Sequence, residues 1–308
     1  MKVQDQDITF VVQGPVQATP DREQQQGITE QCLLSIKQFF PRSKIILATW
    51  KGQQHQGLVY DQVLELNDPG QNTIYNDELK VLLNNNRQLH STYMGLNHVL
   101  TRYAVKMRTD NLITGRGFVE LYEKYAELDR NPEYSLFNSR VVTSSTFFLS
   151  AHAGKTTHFH KSDLFDFGET KDLLKIWDGH LVPEIRFESQ PGYKSRFPAT
   201  EQFLCLGWLS RLLGKTYQIK TKAGDDAGLG EDYWKNFIAN NLVIDSAESI
   251  GLDVTERFYH RGNLSQELDL ADWKEFVGLK PRPWDKKRAK RMLKKIESNT
   301  IRFLLRKS

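Results

Sequence analysis

Tyr103–Asn111 reads Tyr-Ala-Val-Lys-Met-Arg-Thr-Asp-Asn, and its reading decides the fold. A β-like run, with Tyr103, Val105 and Met107 alternating against Ala104, Lys106 and Arg108, breaks off at Arg108-Thr-Asp110-Asn. A helix-like segment precedes it, and a loop punctuated by Gly115 and Gly117 follows. In open α/β sheets, ligands bind beyond the carboxyl ends of the strands. A charged cluster at such an end is therefore a candidate site. Asp110 offers hard oxygens for a divalent cation, and Arg108 suits a phosphate. The alternative is a helix cap beside a solvated arginine.

Working outward, Ile8–Val12 is β-branched and aromatic and runs into Gln13-Gly14-Pro15, which predicts a buried first strand ending in a turn. Gly14 would let backbone approach a ligand closely. Apolar residues at Ile28, Cys32, Leu33, Ile36, Phe39 and Phe40 keep helical spacing up to Pro41. Ile45–Ala48 predicts a second strand, closing with Thr49-Trp50-Lys51-Gly52, and Val63–Leu66 a third. Strand, helix, strand at this spacing implies a right-handed βαβ unit with parallel strands. Asn84–Arg102 reads as a helix whose start carries Asn86, Arg87 and Gln88, where backbone amides favour an anion.

Further on, Phe118–Leu128 predicts a helix, and Tyr134–Phe137, Val141–Leu149, Tyr217–Ile219 and Leu242–Ile244 predict strands. Leu173–Trp177 predicts a short helix. Val182–Pro198 is aromatic and irregular, an acceptor-side loop region in this reading. Thr200 is a natural N-cap for a helix to about Leu213. Glu201, in the first turn, suits a general base, although the helix dipole alone also favours a carboxylate there. His158 and His160 are two apart, so on a strand they would share a face and complete a metal site with Asp110. Asp163 and Asp166 have helical i,i+3 spacing and could act on a sugar hydroxyl. Each of these has a structural alternative: a buried or surface histidine, or a capping acid.

The chain has 308 residues, 39% hydrophobic and 26% charged, as expected of an ordinary globular protein. No apolar run is long enough to span a bilayer, and the N-terminus lacks a signal-peptide core. Two cysteines, both in apolar helix-like segments, argue against a disulfide framework and fit a reducing cytosol. The net charge is +4, but Asp285–Ser308 holds ten Lys/Arg against two Asp/Glu, or +8, leaving −4 for the rest. Apolar Ala289, Met292, Leu293, Ile296 and Leu304 interleave with those cations at helical spacing, and Trp284 and Phe303 stand as anchors. A basic amphipathic helix of this kind suits an anionic membrane surface; the alternative is a terminal helix packed on the body by its apolar stripe. No basic patch interleaved with stacking aromatics points to nucleic acid.

Ile8–Pro15, Ser43–Gly52, Asn67–Gly70, Asn85–Gly95, Lys106–Asp110, Ser162–Gly168 and Thr200–Leu204 together resemble the WavE lipopolysaccharide synthesis family, in order, over about residues 8–215. Phe203 stands where that family commonly has Tyr. The resemblance implies an α/β, Rossmann-like GT-A glycosyltransferase fold with a mostly parallel central sheet. The expected organisation is one domain over 1–280, with a nucleotide-binding half (1–115) and an acceptor half (116–280), followed by the basic amphipathic tail (281–308). The resemblance also implies sugar transfer from a nucleotide-sugar donor to a lipid-linked or oligosaccharide acceptor in lipopolysaccharide, O-antigen or capsule synthesis, in the cytoplasm and peripheral to the inner membrane. The donor would lie across Gln13–Pro15, Thr49–Gly52 and Asn86–Gln88, beside Arg108 and Asp110, with Glu201 or Asp163 as base. Arg108 departs from the Asp-x-Asp of that fold. Mg²⁺ or Mn²⁺ dependence is thus open, as is a metal-free sialyltransferase using a cytidine monophosphate donor. A nucleotide-sugar-binding protein without chemistry and a nucleotidyltransferase are the rivals.

Overall fold

A computed structural model describes residues 2–20, 22–260 and 263–305. In chain order the elements are β1 (Ile8–Gln13), α1 (Ile28–Phe39), β2 (Lys44–Trp50), β3 (Gln62–Leu66), the hairpin β4 (Asn72–Asn76) and β5 (Leu79–Leu83), α2 (Asn85–Asn97) and β6 (Tyr103–Arg108). Then come β7 (Leu112–Ile113), α3 (Gly117–Tyr125), β8 (Val141–Ser144), the small hairpin β9 (Ala151–His152) and β10 (Lys155–Thr156), β11 (Asp166–Glu169) and α4 (Thr170–Ile176). The chain continues through β12 (Ile185–Phe187), α5 (Thr200–Leu213), α6 (Tyr233–Asn241), β13 (Leu242–Asp245), β14 (Leu252–Asp253), α7 (Leu270–Phe276) and α8 (Lys286–Leu305).

Seven strands form the central sheet in the order β13-β8-β11-β6-β1-β2-β3. β11 alone runs against its neighbours; the other six are parallel. The layout is the mostly parallel α/β one that the sequence leads one to expect. β1 is buried along its whole length, which is why it reads as a continuous apolar run. One apolar core extends from Phe10 and Val105 to Phe167, Ile244 and Trp273, so both expected halves share a single sheet and core. Gly95 on α2 lies against Val11, where an added Cβ would meet Val11 Cγ1 at 2.3 Å, so only glycine permits this closeness of helix and sheet.

Several expected elements differ. The helix expected over 84–102 stops at Asn97, because residues 98–102 turn the chain into β6. Tyr134–Phe137 and Tyr217–Ile219 are not strands. Asp163 and Asp166 share no helix: Asp166 opens β11. His158 and His160 are not on a strand, and Phe159 between them has φ +59°, which breaks the alternation on which a shared face depended. The cap of α5 is Ala199, not Thr200; the Gln202 side chain reaches back to accept from the Ala199 amide at 3.0 Å.

α8 docks on the body through its cations. Arg291 donates to Asp272 at 2.7 Å and to the Ser265 carbonyl at 2.7 Å, and Lys287 donates to Asp269 at 2.8 Å. Gly154, at φ +73°, lets the helix approach the β9–β10 turn; a Cβ there would meet Ser298 Cβ at 2.9 Å. Met292, Leu293, Ile296 and Leu304 stay exposed, so the polar side of this helix faces the protein and its apolar stripe faces outward. That reverses the packing of an ordinary surface helix.

Candidate active site

The carboxyl ends of three parallel strands lie level. Gln13 pairs with Arg108 on one side and with Ala48 on the other, so Gln13–Pro15, Thr49–Lys51 and Arg108–Asp110 leave the sheet side by side. Thr109 binds these segments together: its amide donates to the Gln13 carbonyl at 3.0 Å and its hydroxyl to the Pro15 carbonyl at 2.7 Å. Gly14 has φ +125°, and a Cβ there would meet Thr109 Oγ1 at 3.0 Å. Its freedom therefore serves contact with Thr109.

Arg108 grips Asp110 through two parallel hydrogen bonds, at 2.8 and 2.7 Å, and Arg22 adds a third at 2.8 Å. Burial opposes the Arg108 charge, but the field and hydrogen bonds of Asp110 outweigh it and raise the guanidinium pKa. Both guanidinium groups are thereby held at the Asp110 carboxylate on the rim. Arg22 was not foreseen, because it sits in a polar loop without periodicity.

β11 runs antiparallel to β6, with Asp166 opposite Lys106, so the residues just before Asp166 lie beyond the same carboxyl end of β6. The Asp163 carbonyl accepts from Gln88 Nε2 at 2.9 Å and from Lys106 Nζ. Lys106 is fully buried over the Trp177 ring, 4.2 Å from its centroid, and burial pulls its pKa down to about 7 against the fields of Asp163 and Asp166. Lys161 pairs with Asp166 at 2.6 Å, with side chains 3% and 0% exposed, and Trp177 Nε1 donates to the other Asp166 oxygen at 2.9 Å. This buried network fixes the 161–166 loop and hence Asp163.

Glu201, in the first turn of α5, shares a small cavity with Asp163, Lys161, Leu89 and Trp208. Burial, then the charge of Asp163, push its carboxyl up to about 7, with Lys222 opposing. A carboxylate titrating near neutrality is suited to taking a proton from a hydroxyl. His160 Nε2 lies 3.8 Å from Glu201, and burial pushes its pKa down to about 3, so it stays neutral there.

Other expected residues have structural partners. Asn86 clamps the Val182 backbone, accepting from its amide at 2.7 Å and donating to its carbonyl at 3.1 Å. Arg87 is held by Asp68 at 2.6–3.0 Å and by Asn84 at 2.8 Å. Gln13 accepts from Ser91 at 3.1 Å, Thr49 is buried, and Lys51 is exposed. The metal set Asp110, His158 and His160 does not assemble. Among the described residues no three His, Cys, Asp or Glu side chains gather to hold a cation, and the Asp110 carboxylate is already engaged by two guanidinium groups. Burial lowers the His158 pKa, and the charges of Asp226, Glu231 and Asp225 oppose that shift. Asp110, His158 and His160 do not fit a metal-binding cage.

Fold and rim define an α/β protein with a mostly parallel central sheet and charged groups gathered beyond its strand ends. The chain belongs to the WavE lipopolysaccharide synthesis family, whose model matches residues 8–308. The match therefore extends through the basic tail. No curated protein matches the chain. Among solved structures, it is similar to a 4-diphosphocytidyl-2C-methyl-D-erythritol synthase from Anaerococcus prevotii, at 12% identity over 76% of this chain and 94% of that one, with a TM-score of 0.29. It is also similar to TarS residues 1–349 of S. aureus in complex with UDP-GlcNAc, at 10% identity over 97% and 89%, with a TM-score of 0.35. At those values the structural likenesses carry no functional argument.

Proposed function

We propose that this protein transfers a sugar from a nucleotide-sugar donor to a lipid-linked or oligosaccharide acceptor in lipopolysaccharide, O-antigen or capsule synthesis, at the cytoplasmic face of the inner membrane. The single observation that carries the reading is the convergence of two functions on one rim. Arg108 and Arg22 offer fixed positive charge where a departing nucleotide phosphate needs it, and Glu201 supplies a carboxyl of near-neutral pKa opposite. Glycosyl transfer through an oxocarbenium-like state needs both: charge stabilisation of the leaving phosphate and removal of the acceptor proton. Glu201 takes that proton, Asp163 sets its field, and Asp110 holds Arg108 in place.

Arginine in place of a metal cage favours a donor whose phosphate is neutralised by guanidinium groups, which leaves cytidine monophosphate sugars within range. The outward apolar stripe of α8, flanked by Lys286, Lys290 and Lys295, supports attachment to an anionic membrane surface. Among the described residues no helix is long and apolar enough to cross a membrane. The test is nucleotide release from uridine, guanosine and cytidine sugar nucleotides with membrane acceptor extract, with and without Mn²⁺. Acceptor-dependent release of nucleoside di- or monophosphate supports transfer. Pyrophosphate release from nucleoside triphosphates would favour a nucleotidyltransferase, and no release at all would leave only binding.

A further inference from the structure

We propose that the cavity between the β9–β10 hairpin, the 191–196 loop and the end of α8 binds the phosphate or diphosphate group of the acceptor. This rests on the reading above that the protein extends a membrane-borne saccharide. The cavity measures about 560 Å³ and is lined by His152, Lys155, Lys194, Arg196 and Arg302, with Tyr193 among them and no Asp or Glu. Among the described residues, Lys155, Lys194 and Arg196 have no carboxylate in ion-pair contact. Uncompensated cations crowded into a concavity are costly unless an anion fills it.

His152 senses that field. Burial lowers its pKa, and Lys222, Arg196 and Lys194 lower it further. The loops are tied in register: the Lys222 amide donates to the Arg196 carbonyl at 2.8 Å, and the Gly224 amide to the Thr156 carbonyl at 2.7 Å. The Tyr193 ring adds an aromatic surface to the lining, its centroid 5.2 Å from Lys194 Nζ and 5.9 Å from the Arg302 guanidinium.

The position of the cavity argues for the acceptor rather than the donor. Arg302 and Leu305 in its lining belong to α8, the helix with the outward apolar stripe. Ser195 and Arg196 also line a second cavity of about 320 Å³, which continues to Lys222 and to Ala199, the residue capping the helix of Glu201. Lys222 lies in the fields of both Arg196 and Glu201. A cationic track thus runs from the expected membrane side to the proposed base, and neither cavity is lined by Arg22, Arg108 or Asp110. Arginine and lysine recognise phosphate esters through charge-assisted hydrogen bonds.

The test follows the His152 imidazole by NMR in the full chain, assigned with H152N, while inorganic pyrophosphate is added. Saturable binding that moves the His152 titration to higher pH is expected. The variant K194A/R196A, altered only at exposed positions, should bind pyrophosphate at least about tenfold more weakly. UDP and CMP should bind without moving His152. An unresponsive His152, or equal pyrophosphate affinity in the variant, would overturn the proposal. So would UDP or CMP shifting His152 at lower concentration than pyrophosphate, since the cavity would then be a nucleotide site. Pyrophosphate binding needs no turnover. A His152 response in a protein that never transfers sugar would therefore sink the transferase reading alone, and intact transfer with a silent His152 would sink the cavity alone.

Discussion

The Arg108 guanidinium holds the Asp110 carboxylate edge to edge, Nε to Oδ1 at 2.8 Å and Nη2 to Oδ2 at 2.7 Å, two residues apart in the chain at the end of the central strand. Asp110 therefore acts through Arg108. Asp110→Ala frees the guanidinium to rotate. The expected result is a KM for donor raised about tenfold or more, with a smaller change in kcat and partial recovery in Asp110→Asn, which keeps one acceptor oxygen. Steady-state kinetics on both variants check it; a loss confined to kcat would place Asp110 in the chemistry itself.

Glu201 carries the pH dependence. As a base it must be ionised, so kcat/KM is expected to rise with pH and level off above about 7. Glu201→Gln should lower kcat by about 10²–10⁴-fold and abolish that limb. A pH–rate profile decides between base and bystander.

The same residue makes a stability prediction of definite sign. The folded carboxyl holds its proton up to about pH 7, whereas the unfolded one releases it near 4.5. The folded state then binds more protons between those values, so stability falls as pH rises from 4.5 to about 7 and stays lower above. Glu201→Gln removes this cost. Thermal melts should show the variant more stable than the parent at pH 8, by on the order of 3 kcal/mol at most, and no more stable at pH 4.

α8 presents Leu293 and Ile296, 62% and 53% exposed, on the side away from its ion pairs to Asp269 and Asp272. The double change Leu293→Glu and Ile296→Glu should reduce binding to vesicles containing anionic lipid by at least about tenfold. Melting temperature should be nearly unaffected, because neither side chain packs on the body. Unchanged flotation would remove the helix from membrane attachment.

Much of this was legible in the sequence. The apolar run of β1, the helical spacing of α1 and the polar break after Met107 make the first βαβ unit and the rim legible, since each depends on local periodicity; the order of the outer strands and the antiparallel β11 depend on distant pairing. The pairing of Asp110 was not legible, because Arg22 lies 88 residues away in a loop whose polar composition gives no face. Asn86 and Arg87 looked like an anion site because helix starts favour anions, and the partners that occupy them, Val182 and Asp68, come from distant segments. Lys106 was visible as a lysine inside an apolar strand, and that mismatch signals a buried charge whose neighbours tertiary structure alone supplies. The histidines failed as a pair because Phe159 takes a left-handed conformation. The basic, amphipathic character of the tail is legible in its spacing, but which of its faces meets the body depends on Asp269 and Asp272, which no local pattern reveals.

The central claim is that donor phosphate meets Arg108 while Glu201 serves the acceptor. Calorimetric titration of the donor nucleotide identified by the release screen, into the parent protein, Arg108→Ala and Glu201→Gln, tests it most directly. The account predicts affinity about 10–100-fold weaker in Arg108→Ala and unchanged in Glu201→Gln. Equal affinity in the parent and Arg108→Ala would contradict it.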